Sequence, residues 1–404
     1  MRWLNLSIFY SLSNKTQNFM QIQNFGFLQW LVFLAIFVCL PLPHGNVYPF
    51  IPLVLTCLYN IKKYQIKLTN INAGLAVFFG FGLLSTFWAI DPTLTLKLYA
   101  KVISIVLSGY LWISVYQQLS EEQQYSIRNI TFIASVSLLM GLLFFIVDLK
   151  RGGRLFTFIA PHISPAFVHA AIACSLTIWA NLNKLHKLLQ LCVLISAIVI
   201  LNFATSDAAS LGVILGGSVL LLHKILPRFV RFMFIYGMPT VWFLMPFIFL
   251  RILTPENYHQ WADSIDTSYT HRLFIWHASA EQIFERFWMG FGFGSSRFKE
   301  FGLKAEEVII TASNTQQVFE SPVHPHNYML QIWLELGLLG VIIACAAWIL
   351  YWKKHYYHTD VYTIAFWGSA MCVSATSISV WQSWWLILIV TLLPIYTWHT
   401  TKIH

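Results

Sequence analysis

His324, His326 and Asn327 stand at the head of the stretch HPHNYMLQIWLELGLLG, residues 324–340, and apolar sequence then runs from Tyr328 to Tyr351. An imidazole at such a boundary is suited to general-base work, because its pKa lies near neutrality and the neutral ring accepts a proton from a hydroxyl. Arg272, upstream in HRLFIWHASAEQIFERF, is suited to a phosphate, because its planar fork donates two parallel charge-assisted hydrogen bonds. A base for a hydroxyl and an arginine for a phosphate leaving group together suggest group transfer from a phosphorylated donor. The same residues also have a structural reading, with the histidine capping a helix and the arginine paired to Glu281 or Asp266. Spacing alone leaves both readings open.

Other chemistries are less well supported. Imidazoles bind zinc well, and His259, His271 and His277 share a segment with the histidine pair. However, His271 and His277 are six apart and lie on different helical faces, with no HExxH, CxxC or DxD pattern beside them. No metal is expected. The six cysteines (Cys39, Cys57, Cys174, Cys192, Cys345, Cys372) fall inside apolar runs and read as small buried hydrophobes. No GxSxG elbow is present. The glycines of MGFGFGSSRF match neither a P-loop nor a dinucleotide fingerprint; they suit a tight turn in which backbone meets backbone. No cofactor and no nucleic-acid partner are expected.

The elements that must position these residues are set by composition. The chain is 57% hydrophobic and 10% charged, with a mean hydropathy of +0.64, whereas soluble domains carry about 25% charged residues. An all-α polytopic membrane protein is expected. Runs long enough to cross about 30 Å of hydrocarbon fall near 27–43, 47–61, 73–90, 97–117, 127–148, 162–180, 188–204, 208–226, 229–253, 328–352, 360–379 and 381–399, about twelve spans. The first run lacks a small-residue cleavage site and reads as a retained span. The basic loops IKKYQIK, NLNKLHK, HKILPRFVR and YWKKHYYH fall on one side, which the positive-inside bias makes cytoplasmic, with both termini. The expected organisation is therefore nine spans over 1–253, a periplasmic loop over 254–326, and three spans over 327–404. Within the loop, the stretch PENYHQWADSIDTSYTHRLFIWHASAEQIFERF, 255–287, is amphipathic at helical spacing and fits a helix on the membrane surface.

Cations on the outer side run against the bias and invite an anionic-ligand reading. They are Lys97 and Lys101, then Lys150, Arg151 and Arg154, then those after Arg251. Neutralising nearby carboxylates or touching lipid headgroups would explain them equally well. Glu335, about 13 Å beyond His326 at 1.5 Å per residue, must be paired, protonated or facing a polar cavity, and reads as a brace. Gly337 and Gly340 would let a neighbouring helix pack close. A two-halved transporter is disfavoured, because the connection after the sixth span is short and no repeat is visible.

The stretch HNYMLQIWLELGLLG resembles the signature H-[N/S/Q]-x9-G-x-x-[G/T/Y] of the bacterial O-antigen ligase family, with His326, Asn327, Gly337 and Gly340 in place. HRLFIWHASAEQIFERFWMGFGFGSSRF is similar to that family's arginine–tryptophan helix and Gly-x-Gly turn, and LLSTFWAIDPTLTLKLYAK to its "S-x-x-W-S/A-x-D-P" segment. The resemblance implies a GT-C-type membrane glycosyltransferase in the bacterial inner membrane. It would take glycan from undecaprenyl pyrophosphate on the periplasmic side and pass it to a sugar hydroxyl of lipid A–core, without metal or nucleotide. Carried over, His326 would be the base or acceptor-orienting group and Arg272 the pyrophosphate ligand, with His324 and Asn327 beside the substrate. An O-antigen polymerase and a protein O-oligosaccharyltransferase are the related alternatives. The latter tend to be longer, with an added C-terminal region. One departure stands out: ATSDAASLGV carries Asp207 where the family often has an arginine. Arg154, Arg151 or Lys101 would then have to supply the second cation, with Lys97 also expected beside the substrate.

Overall fold

The computed structural model describes residues 25–37, 46–67, 73–150, 195–196, 199, 207–254, 257, 267–297, 307–310, 316–319, 324–357 and 359–397. The expected sixth and seventh spans lie outside the described residues, apart from 195, 196 and 199, which are helical. Each other expected span is met by a helix. In order these are α1 (Phe25–Phe37), α2 (Val47–Tyr64), α3 (Ala73–Leu84), α4 (Pro92–Gln117), α5 (Glu121–Lys150), α6 (Asp207–Ile225), α7 (Pro227–Phe232) and α8 (Met238–Ile252). After α9 (Thr267–Glu285) come α10 (Tyr328–Lys354), α11 (Val361–Thr376) and α12 (Ser383–Thr397). A π-turn at Met233–Gly237 joins α7 to α8. Among the described residues, four helices, Pro92–Gln117, Ala208–Ile225, Pro227–Ile252 and Tyr328–Lys354, are long and apolar enough to cross a membrane, and shorter apolar helices accompany them. The chain is a helical membrane protein.

One short strand pair accompanies the helices. Strands β1 (Glu307–Ile310) and β2 (Gln316–Phe319) form an antiparallel hairpin with Val308 opposite Val318. EVII and QQVF are short and rich in β-branched residues, and the polar TASNT between them suits a turn.

Local chemistry sets the helix starts. Asp91 caps α4 by accepting from the Thr93 and Leu94 amides at 2.9 and 3.0 Å, with Pro92 in the first turn. Both choices favour initiation, since the carboxylate satisfies orphan amides and proline's missing N–H costs nothing there. α11 packs on α6, α1 on α5, α12 on α4, and α10 against α3 and α8. Polar side chains bridge the apolar bodies: Asn46 donates to the Trp384 carbonyl at 2.7 Å, and Trp112 to that of Thr391 at 3.0 Å. The expected surface helix, α9, packs against α8 and α10. Its Phe274, Ile275, Ala278, Ser279, Ala280 and Ile283 are buried, while Phe284 is 41% exposed. It is built into the protein by a wider face than its apolar pattern suggested.

The most consequential feature is a break in α10. Gly337 has φ 62° and ψ −166°, a conformation open essentially to glycine alone. The break diverts two hydrogen bonds on each side of it. The carbonyls of Leu334 and Glu335 accept from the amides of Phe291 and Gly292 at 3.0 and 2.8 Å, and the amides of Leu338 and Leu339 donate to Phe287 and Trp288 at 2.8 and 3.1 Å. The glycine-rich loop after α9 is thus spliced into the helix, and these four backbone groups of the kink find partners in it, as a buried site requires. The close approach leaves no room for side chains. A Cβ on Gly290 (φ +65°) would lie 2.5 Å from the Glu335 carbonyl carbon, and one on Gly337 2.6 Å from the Gly290 nitrogen. Gly337 therefore serves a backbone-to-loop splice, where close packing of another helix was expected.

Gly290→Ala and Gly337→Ala should each lower the thermal midpoint of the detergent-solubilised protein, since backbone strain alone costs about 1–3 kcal/mol. Gly26→Ala, where a Cβ meets nothing within 4 Å, should leave the midpoint unchanged or raise it. Equal midpoints for all three variants would contradict the splice.

Candidate active site

The histidine turn sits where α10 begins. His326 adopts φ +52°, a left-handed conformation that polar residues tolerate better than branched ones. Asn327 then caps α10, its side-chain oxygen accepting from Met329 and Leu330 amides at 3.0 and 3.2 Å. At 2% exposure, Asn327 aims the turn by capping the helix, and its carbonyl is already engaged. The His326 ring lies 2.8 Å through Nδ1 from the Ser377 carbonyl. A carbonyl has no proton to give, so Nδ1 carries the hydrogen and Nε2 presents the lone pair. His324 packs edge-on at 4.3 Å between centroids, and its Nδ1 accepts from the His326 amide at 3.2 Å.

Electrostatics keep both rings neutral. Burial lowers the pKa of His326; the Ser377 bond opposes this, while Arg272 and His271 add to it. His324 is pushed down to about 3, by burial first and then by His326 and Arg297. A neutral imidazole with its Nε2 lone pair available is the state a proton acceptor needs.

α9 brings Arg272 to this turn. One helical turn later, Trp276 donates to the Pro325 carbonyl at 3.1 Å and stacks on Phe249 at 5.2 Å between centroids. Arg272 and Trp276 share a helix face by their spacing, and the charge of Arg272 is felt at His326. Glu281, a possible partner for Arg272 in the sequence, lies 3.4 Å from His277.

Behind the turn lies a buried polar knot. Glu335 is fully buried, and four donors converge on its two oxygens. Oε1 accepts from the Ser296 hydroxyl at 2.6 Å and Gln331 Nε2 at 2.8 Å; Oε2 accepts from the Gly294 amide at 2.7 Å and Trp381 Nε1 at 2.5 Å. These fill a carboxylate's acceptor capacity. The turn between α11 and α12 closes the knot, since the Ser379 hydroxyl lies 3.1 Å from both Gln331 Nε2 and Arg297 Nη2.

The remaining motif joins here too. Ser85 accepts from the Phe293 amide at 2.9 Å, Trp88 donates to Met289 at 3.0 Å, and the Ile90 amide donates to Phe291 at 3.3 Å. The serine–tryptophan segment and the glycine loop form one unit. Of the other expected cations, Lys97 and Lys101 are exposed on α4. Lys101 lines a groove of about 300 Å³ with Val47, Phe50, Ser104 and Ile387, apart from the histidine turn. Arg151 and Arg154 lie outside the described residues, and Asp207 is the first residue of α6. Among the described residues, no three histidine, cysteine or acidic side chains are grouped to hold a metal ion.

Residues 166–345 match the family model described as O-Antigen ligase. That stretch, somewhat under half of the chain, is similar to the O-antigen ligase family. The matched region contains Arg272, the glycine loop, the histidine turn and Glu335, but neither the serine–tryptophan segment nor the 377–381 turn that contact them. Three Rickettsia proteins bearing the name "Putative polysaccharide ligase" are similar over most of their length. That of Rickettsia prowazekii is 25% identical over 321 residues, covering 75% of this chain and 74% of the relative. Those of Rickettsia bellii and Rickettsia typhi are 27% and 24% identical, each covering 77% of this chain and 76% of the relative. No solved structure matches.

Sequence reasoning did not single out Arg297, Gln331, Ser377, Ser379 or Trp381. Gln331 and Glu335, four apart in an otherwise apolar run, were a readable signal for a shared polar face. The serines after α11 carried none.

The lowered pKa of His326 gives a pH expectation with a definite sign. The folded value lies below the ordinary 6.5, so the ring is neutral at pH 7. As pH falls below 6.5, the unfolded chain takes up this proton before the folded one does, and the stability tied to His326 declines. Activity that depends on neutral His326 should keep its acid limb below pH 6.5, read from the rate profile. An acid limb above that value would rule out His326 as the titrating base.

Proposed function

We propose that this protein is a surface-glycan ligase, an O-antigen ligase that transfers glycan from undecaprenyl pyrophosphate to a sugar hydroxyl of lipid A–core at the periplasmic face of the inner membrane. The observation that carries the reading is the histidine turn: a neutral imidazole, fixed through Nδ1, within the field of an arginine held by α9. The acceptor oxygen attacks the anomeric carbon of the donor's first sugar. The bond from that carbon to the diphosphate oxygen breaks, and the electron pair leaves with the lipid diphosphate. Nε2 of His326 takes the hydroxyl proton or orients the hydroxyl, and Arg272 offsets charge growing on the leaving group. The proposed transfer uses no metal or nucleotide. The family and its named relatives support the polysaccharide-ligase class. The twelve-span, both-termini-inside topology of the sequence reading places the turn and the 254–326 segment on the periplasmic side.

His326→Ala and Arg272→Ala should reduce attachment of long glycan to lipid A–core by at least about 100-fold, in line with loss of a positioned base or charge stabiliser. Immunoblotting should show wild-type amounts of both proteins in the membrane. Wild-type ligation by either variant would sink that residue's role. Deleting the gene separates the related alternatives. Loss of a ligase leaves full-length chains on the lipid carrier, whereas loss of a polymerase leaves core bearing single units.

A further inference from the structure

Arg297 is a cation that the reaction outlined above does not use, and its surroundings are unusual. It lies in the 3-10 turn Ser295–Arg297 directly after the glycine loop, half-buried beside the polar knot. Its guanidinium donates to the Ser379 hydroxyl at 3.1 Å, the one hydrogen bond it makes among the described residues. A guanidinium offers five donors in a fixed fork. Glu335 acts on Arg297 electrostatically, but both its oxygens are already filled by four other donors. Glu335 therefore compensates the charge from behind without occupying the fork.

The turn that holds Arg297 also holds His326. The Ser377 carbonyl takes the imidazole Nδ1 proton and the Ser379 hydroxyl takes the guanidinium, two residues apart in one connection between α11 and α12. Gln331 locks that connection in place, donating to Ser379 and accepting from the Val380 amide at 3.0 Å. Electrostatic influence follows the same geometry: Arg297 acts on His324, Arg272 acts on His326, and the two rings are in contact. Among the described residues, the titratable groups acting on the pair and on Arg297 are the two arginines, His271 and Glu335, whose carboxylate is sealed behind.

We infer that Arg297 is the second diphosphate-binding cation of the site, placed by Ser379 so that it and Arg272 take the lipid-linked diphosphate between them. This rests on the ligase reading and names a residue for the position left without an arginine at Asp207. Two forks can divide the charge of a diphosphate, one on each phosphate, and a compensating carboxylate at the back keeps the empty site from holding two uncompensated cations. Arg297 is a substrate-binding residue here, and Ser379 is a positioning residue that acts through it.

The test uses the full-length protein in nanodiscs, with a lipid diphosphate-linked glycan as donor and inorganic pyrophosphate as competitor. Arg297→Gln should raise the donor KM and the pyrophosphate inhibition constant together, by about tenfold or more, as expected for loss of a charge-assisted hydrogen bond. Acceptor KM should stay unchanged. Arg297→Lys, which keeps the charge but not the fork, should fall between, and Ser379→Ala should shift the same two constants by a smaller factor. Arg251→Gln, at the exposed C-terminus of α8, serves as the control for general loss of positive charge. If Arg297→Gln lowers the thermal midpoint, Arg297→Lys and Ser379→Ala decide the matter. Donor KM and pyrophosphate inhibition at wild-type values in the folded variants would overturn the inference while leaving the ligase reading intact. A wild-type protein that transfers no glycan and is not inhibited by pyrophosphate would instead overturn the ligase reading itself.

Discussion

A membrane helix that breaks in its middle must find partners for the backbone groups it releases, and the way α10 meets this demand shapes everything around it. Four hydrogen bonds that an unbroken helix would make within itself, or that solvent would otherwise supply, pass instead to the loop from Phe287 to Gly292. That exchange requires backbone at van der Waals distance from backbone, hence glycine at 290 and 337. It also fixes the depth of the loop. Once the loop is at that depth, the Gly294 amide and the Ser296 hydroxyl reach Glu335, and Arg297 follows three residues after that glycine.

Glu335 shows how a buried carboxylate can be tolerated. Leaving such a group unpaired in an apolar interior is costly, and it is retained where several donors meet it. Its donors come from four separate places: the glycine loop, the 3-10 turn, its own helix one turn earlier, and the connection before α12. A single acceptor therefore ties together segments distant in sequence. The histidine turn inherits that rigidity, because the 377–381 connection that contributes Trp381 to the carboxylate also contributes the Ser377 carbonyl to His326.

Rigidity at the turn has a chemical consequence. With Nδ1 committed to a carbonyl, the imidazole has one tautomer and one orientation, and its basic nitrogen points away from Ser377. Burial and the neighbouring arginine keep the ring neutral. Asn327 completes the arrangement by starting α10 immediately after the histidine, so the turn cannot slide along the helix.

Much of this protein is decided by its sequence alone. The long apolar runs determine helices, because a chain that buries its backbone in lipid must satisfy each peptide group within the segment. Asp91, Asp360 and Asn327 mark helix starts through local amide chemistry, and the glycine pattern of MGFGFGSS already implies close backbone approach. The stretches around Arg272 and His326 could be singled out because their residue types suit a phosphate ligand and a base, although spacing alone left a structural reading open. The short strand pair escaped because a few β-branched residues are a weak signal beside so many apolar ones. What tertiary structure decided was convergence. Nothing in the order of residues says that Ser85 would accept from the Phe293 amide, that the serines of the 377–379 stretch would hold an arginine and a histidine side by side, or that Glu335 would face four donors. Those contacts join segments tens to hundreds of residues apart, and such pairings depend on how the helices pack, which local propensity and periodicity do not encode.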